Sequence, residues 1–287
     1  MLHNLRKSQG IGVLSTCLVL LLCSSYSQAQ SSAFGFRPLV KRGVPTTNGE
    51  SFFLCLVCQD DKLHSRRGLN NNGDVLIFSR ATTSCPVSGG GGGDYVISGG
   101  NSIRIADFCH ETPIGLPTIV SNGSLNDSGQ VALEVFSATV PTSEMLFSNG
   151  SLSELAEFGQ ASPTGSTFGS FSEASINNNG DVVFSAHDSV SGTADGIFEW
   201  SGGNLTTLVA DGDPTPIGGI FNFSFGPNAI ATINDSGQVL FQGAVFPNPP
   251  SPIRWGLFLL SQTGIQKIEA DGDKMPDGRI ALPKCCT

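Results

Sequence analysis

The sequence predicts an all-β protein, a β-propeller-like array of four-stranded repeats with about four to five blades, complete or incomplete; an open β-solenoid is the alternative. Three observations carry this expectation. A seven-residue motif recurs four times at nearly constant spacing, each copy runs into a short Val- and Phe-rich segment, and the composition is rich in turn formers, with 36 Gly among 287 residues and only 14% charged residues. Such glycine usage with few helix-patterned stretches favours many short strands joined by tight turns. A hydrophobic content of 39% and 19 Phe are sufficient for a packed core and argue against a disordered chain.

The motif reads LNNNGDV from Leu69, LNDSGQV from Leu125, INNNGDV from Ile176 and INDSGQV from Ile233. Its glycines, Gly73, Gly129, Gly180 and Gly237, lie 56, 51 and 57 residues apart. Regular self-similarity on this scale is the signature of a repeat architecture. The leading asparagines, Asn70, Asn126, Asn177 and Asn234, suit a turn because their side chains bond nearby backbone amides, and the glycines accept positive φ. The runs that follow, VLIF from Val75, VALEVF from Val131, VVF from Val182 and VLF from Val239, read as inner strands buried on both faces. The motif is therefore expected to be a turn that launches an inner strand.

A hairpin comes next in each copy, clearest as GIFEW-SGGN-LTTLV from Gly196 to Val209. Two apolar runs around a Gly- or Asn-containing pair are a hairpin signal, and the polar alternation of the second run suits an outer strand. Loops reading ADGDPTP from Ala210 and ADGDKMP from Ala270 lead to a fourth strand, FGSF at Phe168 for the second copy and FNFSF at Phe221 for the third. RPLVKRGVP from Arg37 parallels the loop, and SFFLCL from Ser51 supplies a strand of the fourth type, so an N-terminal strand is expected to complete the last blade. The glycine run Gly89 to Gly93 reads as a flexible loop between strands.

Residues 1–29 have the layout of a secretory signal peptide: Arg6 and Lys7, an apolar run from Ile11 to Cys23, then small residues with cleavage expected after Ala29. The run is about 13 residues, shorter than the roughly 20 that cross a bilayer as a helix. Residues 30–287 then form one tandem-repeat β domain, with motifs starting near 69, 125, 176 and 233 and a partial repeat over 37–68. Loss of Arg6 and Lys7 takes the formal net charge from −9 to −11, which disfavours nucleic acid and anionic lipid as partners. The expected location is secreted, periplasmic or cell-surface, with no membrane span in the mature chain.

The pattern N-x-x-G-x-V-x-F, followed by GIF-x-W-x-GG and a GDP-x-P loop, resembles the tandem NxxGxxxAF repeat of bacterial exported proteins. It is similar also to the HAF-type extracellular repeat. The resemblance covers residues 37 to 280 and implies an exported or cell-surface repeat protein; it implies no reaction.

The chemistry-bearing residues point the same way. His64, His110 and His187 fall in different repeats, and HExxH, Gly-x-Ser-x-Gly and P-loop patterns are missing from the sequence. The Asp211-Gly-Asp213 and Asp271-Gly-Asp273 pairs sit where a turn needs Asp and Gly in any case. Catalytic, metal-binding and cofactor-binding residues are accordingly none. Of the six cysteines beyond the signal peptide, Cys85 and Cys109 flank the Tyr95 to Ala106 hairpin and form the candidate disulfide, with Cys55 and Cys58 as competing partners. The expected function is a non-catalytic binding or display scaffold for an unknown extracellular ligand, glycan or protein. The alternatives are an exported propeller hydrolase or lyase with a channel-mouth site, or a structural part of a larger surface protein.

Overall fold

In a computed structural model the described residues are 51–52, 68–82, 91–172, 174–188, 196–223, 230–247 and 252–281. The chain divides into units 1–39 and 40–287, and all described residues belong to the second. The expected signal peptide, Cys55, Cys58, His64 and Cys85 lie outside them.

The protein is all-β, and its described residues form four antiparallel sheets that follow one another along the chain. The first holds β1 (Ser51–Phe52), β2 (Val75–Thr82), β3 (Gly91–Ser98) and β4 (Asn101–Asp107). The second holds β5 (Pro117–Leu125), β6 (Val131–Ser137), β7 (Ser143–Ser148) and β8 (Ser151–Glu157). In the third, β9 (Phe168–Phe171) and β10 (Ser175–Ile176) share one side of β11 (Val182–Asp188), followed by β12 (Gly196–Ser201) and β13 (Asn204–Ala210). In the fourth, β14 (Ile220–Asn222) and β15 (Ala231–Ile233) likewise share β16 (Val239–Phe246), followed by β17 (Arg254–Ser261) and β18 (Gly264–Ala270).

This connectivity corrects the sequence-based strand assignment in three places. FGSF and the Phe221 strand do not end their own repeats; β9 pairs with β11 and β14 with β16, so each crosses into the next sheet as its first strand. The motif is consequently a hairpin turn between the first and second strands of a sheet. Likewise Ser51–Phe52 pairs with β2 of the first sheet rather than completing the last one. Gly91 to Gly93, expected in a flexible loop, belong to β3, and a Cβ built on Gly93 would lie 2.3 Å from the Ala106 carbonyl oxygen. Repeated local patterns identify strands but not their partners, and these strands are exchanged across repeat boundaries.

The sheets pack face to face through three apolar cores. Leu76, Val96 and Ile105 of the first sheet meet Leu133, Val135 and Met145 of the second. Ala132, Leu146 and Leu155 on the other face of the second meet Phe168, Phe184 and Phe198 of the third. Val183, Ile197 and Val209 meet Phe221, Phe241 and Phe258 of the fourth. Aromatic packing dominates the later cores: Phe168 stands edge-on to Phe198 with centroids 5.1 Å apart, and Phe221 to Phe258 at 5.0 Å. Each such pair adds about 0.5–1.5 kcal/mol beyond the area it buries.

Candidate functional site

The four motif turns are built alike. Asn70 accepts at Oδ1 from the backbone N–H groups of Asn72 and Asp74, at 3.1 and 2.9 Å, which closes the turn. Asn126, Asn177 and Asn234 accept in the same way from the residues two and four further on. Gly73, Gly129, Gly180 and Gly237 hold φ of 81°, 75°, 87° and 72°, where a β-branched side chain would be strained. Each leading asparagine also donates one Nδ2 hydrogen to the sixth motif residue: Asp74 at 2.8 Å, Gln130 at 2.7 Å, Asp181 at 2.9 Å and Gln238 at 2.9 Å.

The second Nδ2 hydrogen leaves the repeat. Asn70 donates it to the Asn126 carbonyl at 3.0 Å, Asn126 to the Asn177 carbonyl at 3.0 Å, and Asn177 to the Asn234 carbonyl at 3.2 Å. Beside this row runs another, in which the backbone N–H of Asn71, Asp127 and Asn178 donates to Oδ1 of Asp127, Asn178 and Asp235, each at 2.8 Å. The third motif position alternates Asn, Asp, Asn, Asp along the chain, and the alternation has a physical reason. An ionised carboxylate only accepts hydrogen bonds, so two neighbouring aspartates would repel, whereas a carboxamide between them donates. Asp127 Oδ2 accepts from the side chains of both Asn71 and Asn178 at 2.8 Å, and Asn178 reaches Asp235 at 3.0 Å. The Asn71 side chain first, then its backbone N–H, holds the Asp127 carboxyl below the usual carboxylate range.

The four turns together line one cavity of about 280 Å³. Leu69, Leu125 and Ile176 contribute apolar surface, while Asn71, Asp127, Asn178 and Asp235 supply carboxamides and carboxylates. Its chemistry is that of a neutral-to-acidic hydrogen-bonding surface. The sequence identified these turns as local devices and missed their function as the joint between repeats; the Asn/Asp alternation at the third position was the signal that could have shown it.

The Asp-Gly-Asp loops spend their carboxylates on the backbone. Asp213 Oδ2 accepts from Ala210 N–H at 2.8 Å, Asp273 Oδ2 from Ala270 N–H at 2.9 Å, and Asp211 Oδ1 from Phe223 N–H at 2.6 Å. Among the described residues, no three His, Cys, Asp or Glu stand close enough together to hold a metal ion.

A second hollow, of about 340 Å³, lies where β4 and the segment after it meet the β7–β8 hairpin. Asp107, buried, accepts from His110 Nδ1 at 2.7 Å, and Arg104 Nη1 stands 2.9 Å from His110 Nε2. Both contacts are satisfied together by an imidazole protonated on Nδ1, with Arg104 donating to Nε2. That arrangement occupies the nitrogen a general base would use. Cys109, next to this cluster, is disulfide-bonded, and every other cysteine lies outside the described residues.

Residues 65–282 match the model of a family of unknown function, DUF7453. The chain belongs to this family. No curated protein matches it. Among solved structures it is similar to the crystal structure of a protein of unknown function from Dyadobacter fermentans DSM 18053, at 15% identity and a TM-score of 0.34. That similarity covers 66% of this chain and 58% of the other. Along this DUF7453 member, the family match spans all four motif turns and the sheets they join.

Proposed function

We propose that this protein is an exported, non-catalytic binding scaffold whose sheets act as blades of a propeller-like array and whose motif turns form the ligand-facing surface. The observation that carries the reading is the convergence of all four turns on one cavity. Turns needed only to reverse the chain would not have to meet. The cavity's carboxamides and carboxylates, set beside Leu and Ile, match a hydroxyl-rich ligand such as an extracellular glycan. The absence of catalytic signatures from the sequence and the engagement of His110 Nε2 by Arg104 support a binding role over a hydrolytic one.

A glycan array probed with the secreted, folded protein tests this. The expected result is a reproducible hit that weakens at least tenfold when Asn71 is replaced by Ser at the exposed end of the row. Binding unaffected by that change, or no binding across the array, would count against the motif surface as the site.

A further inference from the structure

The register of the four sheets lets the same position be followed through the molecule. In each sheet one residue of the last strand is skipped by the pairing with its neighbour: Ile105, Leu155, Leu208 and Ile268. Ile105 is 5% exposed and Leu155 6%, each packed in the core shared with the following sheet, and Leu208 packs into the third such core. Ile268 is 51% exposed. The cross-strand pairs on this face behave in the same way. Leu76↔Val96 and Ala132↔Leu146 are buried, whereas Leu240↔Leu259 is only half-buried.

The turn row stops at the same place. Asn70, Asn126 and Asn177 are buried beneath the turn that follows each of them, but Asn234 is exposed. Among the described residues, neither its second Nδ2 hydrogen nor the Asp235 N–H has a following turn to donate to. Beyond the fourth loop the backbone sets out as it does between sheets. Gly272 N–H donates to Ala281 O at 3.0 Å and Ala281 N–H to Asp273 O at 2.7 Å, matching the Gly212–Phe221 and Phe221–Asp213 bonds at 3.0 and 2.8 Å. Phe221 lies in the first strand of a sheet, so Ala281 stands where another first strand would run.

From these facts we infer that the outer face of the fourth sheet is a docking surface for one further sheet of the same repeat, and that the docking sheet carries Asn at the third position of its turn. The occupant follows from continuity with the three interfaces already formed. The incoming sheet presents the large, mostly aromatic face that Phe184 with Phe198 and Phe241 with Phe258 present elsewhere. Its turn accepts from Asn234 and Asp235, and a carboxamide beside the Asp235 carboxylate continues the alternation. Tyr95, on the corresponding face of the first sheet, is fully buried, so an intact second copy of the chain has no free face of this kind to offer. The inference rests on the register of the sheets and not on the glycan reading.

The test inserts a copy of residues 168–219, an Asn-type unit, into the full chain directly after Ile280 and ahead of residues 281–287. The expected gain in Tm is about 5 °C or more, since it adds one interface of the kind already present. The gain should fall by at least half when the third turn residue of the added copy is changed from Asn to Asp. Ile268→Asp should abolish it while moving the Tm of the unextended chain by less than about 2 °C, in contrast to Ile105→Ala, which should lower it several-fold more. No gain on extension, an equal gain with Asp in the added turn, or an Ile268→Asp cost matching Ile105→Ala would each overturn the inference. So would self-association of the unextended chain that Ile268→Asp reverses, which would give the face to a second copy instead.

Discussion

Glu144 is the most conspicuous single residue in the fold. It is fully buried on the face of the second sheet that meets the third, both carboxyl oxygens lack a hydrogen-bond partner among the described residues, and Glu134 lies directly across the strand pair. Burial first, and the neighbouring Glu134 charge second, push its pKa well above the ordinary glutamate value. The folded protein therefore holds it protonated where the unfolded chain would ionise it. Below the ordinary glutamate range both states are protonated and nothing is lost, and stability falls as pH rises from there towards the raised value. Glu144→Gln should accordingly stabilise the protein by about 1–3 kcal/mol at neutral pH and by little near pH 4. Urea titrations at the two pH values would show this, and equal effects at both would contradict it. The third and fourth sheets place Ile197 and Leu257 at the same register position, so Glu144→Leu should be tolerated as well. Among the glycines, Gly180→Val forces a branched side chain to a φ of 87° and should cost about 1–3 kcal/mol by thermal melt. Gly93→Val is no neutral control, because its Cβ would collide with backbone.

At the scale of the element, the hairpin turn and its neighbours form the unit that responds to change. Asn178→Asp would place three carboxylates side by side, at 127, 178 and 235, and remove the donor that joins them. The expected result is a lower denaturation midpoint at neutral pH and low salt, with the difference shrinking as salt screens the repulsion or acid protonates the row. Asp127→Asn should be milder, because carboxamides can bond to one another. Denaturation at two salt concentrations separates these cases, and a salt-independent cost for Asn178→Asp would refute the electrostatic account. The legibility of these elements was uneven. The turn residues, their glycines and the hairpins such as Asn149–Gly150, with φ of 53° and 83°, follow from local backbone preferences. Which strand each turn would serve depends on pairing across repeat boundaries, and no local preference encodes that.

For the whole molecule, two expectations follow from the proposed export. Cleavage after Ala29 should leave Gln30 as the first residue, which N-terminal sequencing of exported material checks; an intact Met1 in a cytosolic fraction would contradict it. Cys109 is disulfide-bonded, and pairing with Cys85 would close a loop with 23 residues between the two. Such a crosslink adds about 3 kcal/mol on the chain-entropy estimate. Peptide mapping without reduction should recover Cys85 linked to Cys109, and a Cys109 peptide linked to Cys55 or Cys58 would reject the pairing.

The sequence by itself determined the all-β class, the four turns and the strand-forming runs, because period, turn chemistry and composition act over a few residues at a time. Only the tertiary structure decided that Phe168 and Phe221 open the next sheet, that Asn70, Asn126 and Asn177 spend half their donors on a neighbouring repeat, and that four turns share one cavity. The asparagine bonds join residues 51 to 57 positions apart in the chain, and the exchanged strands pair with partners in the following repeat, such as Phe171 with Ala186 and Phe221 with Val245. The same repeated motif is compatible with several ways of stacking its copies, and the packing of apolar faces between sheets selects among them.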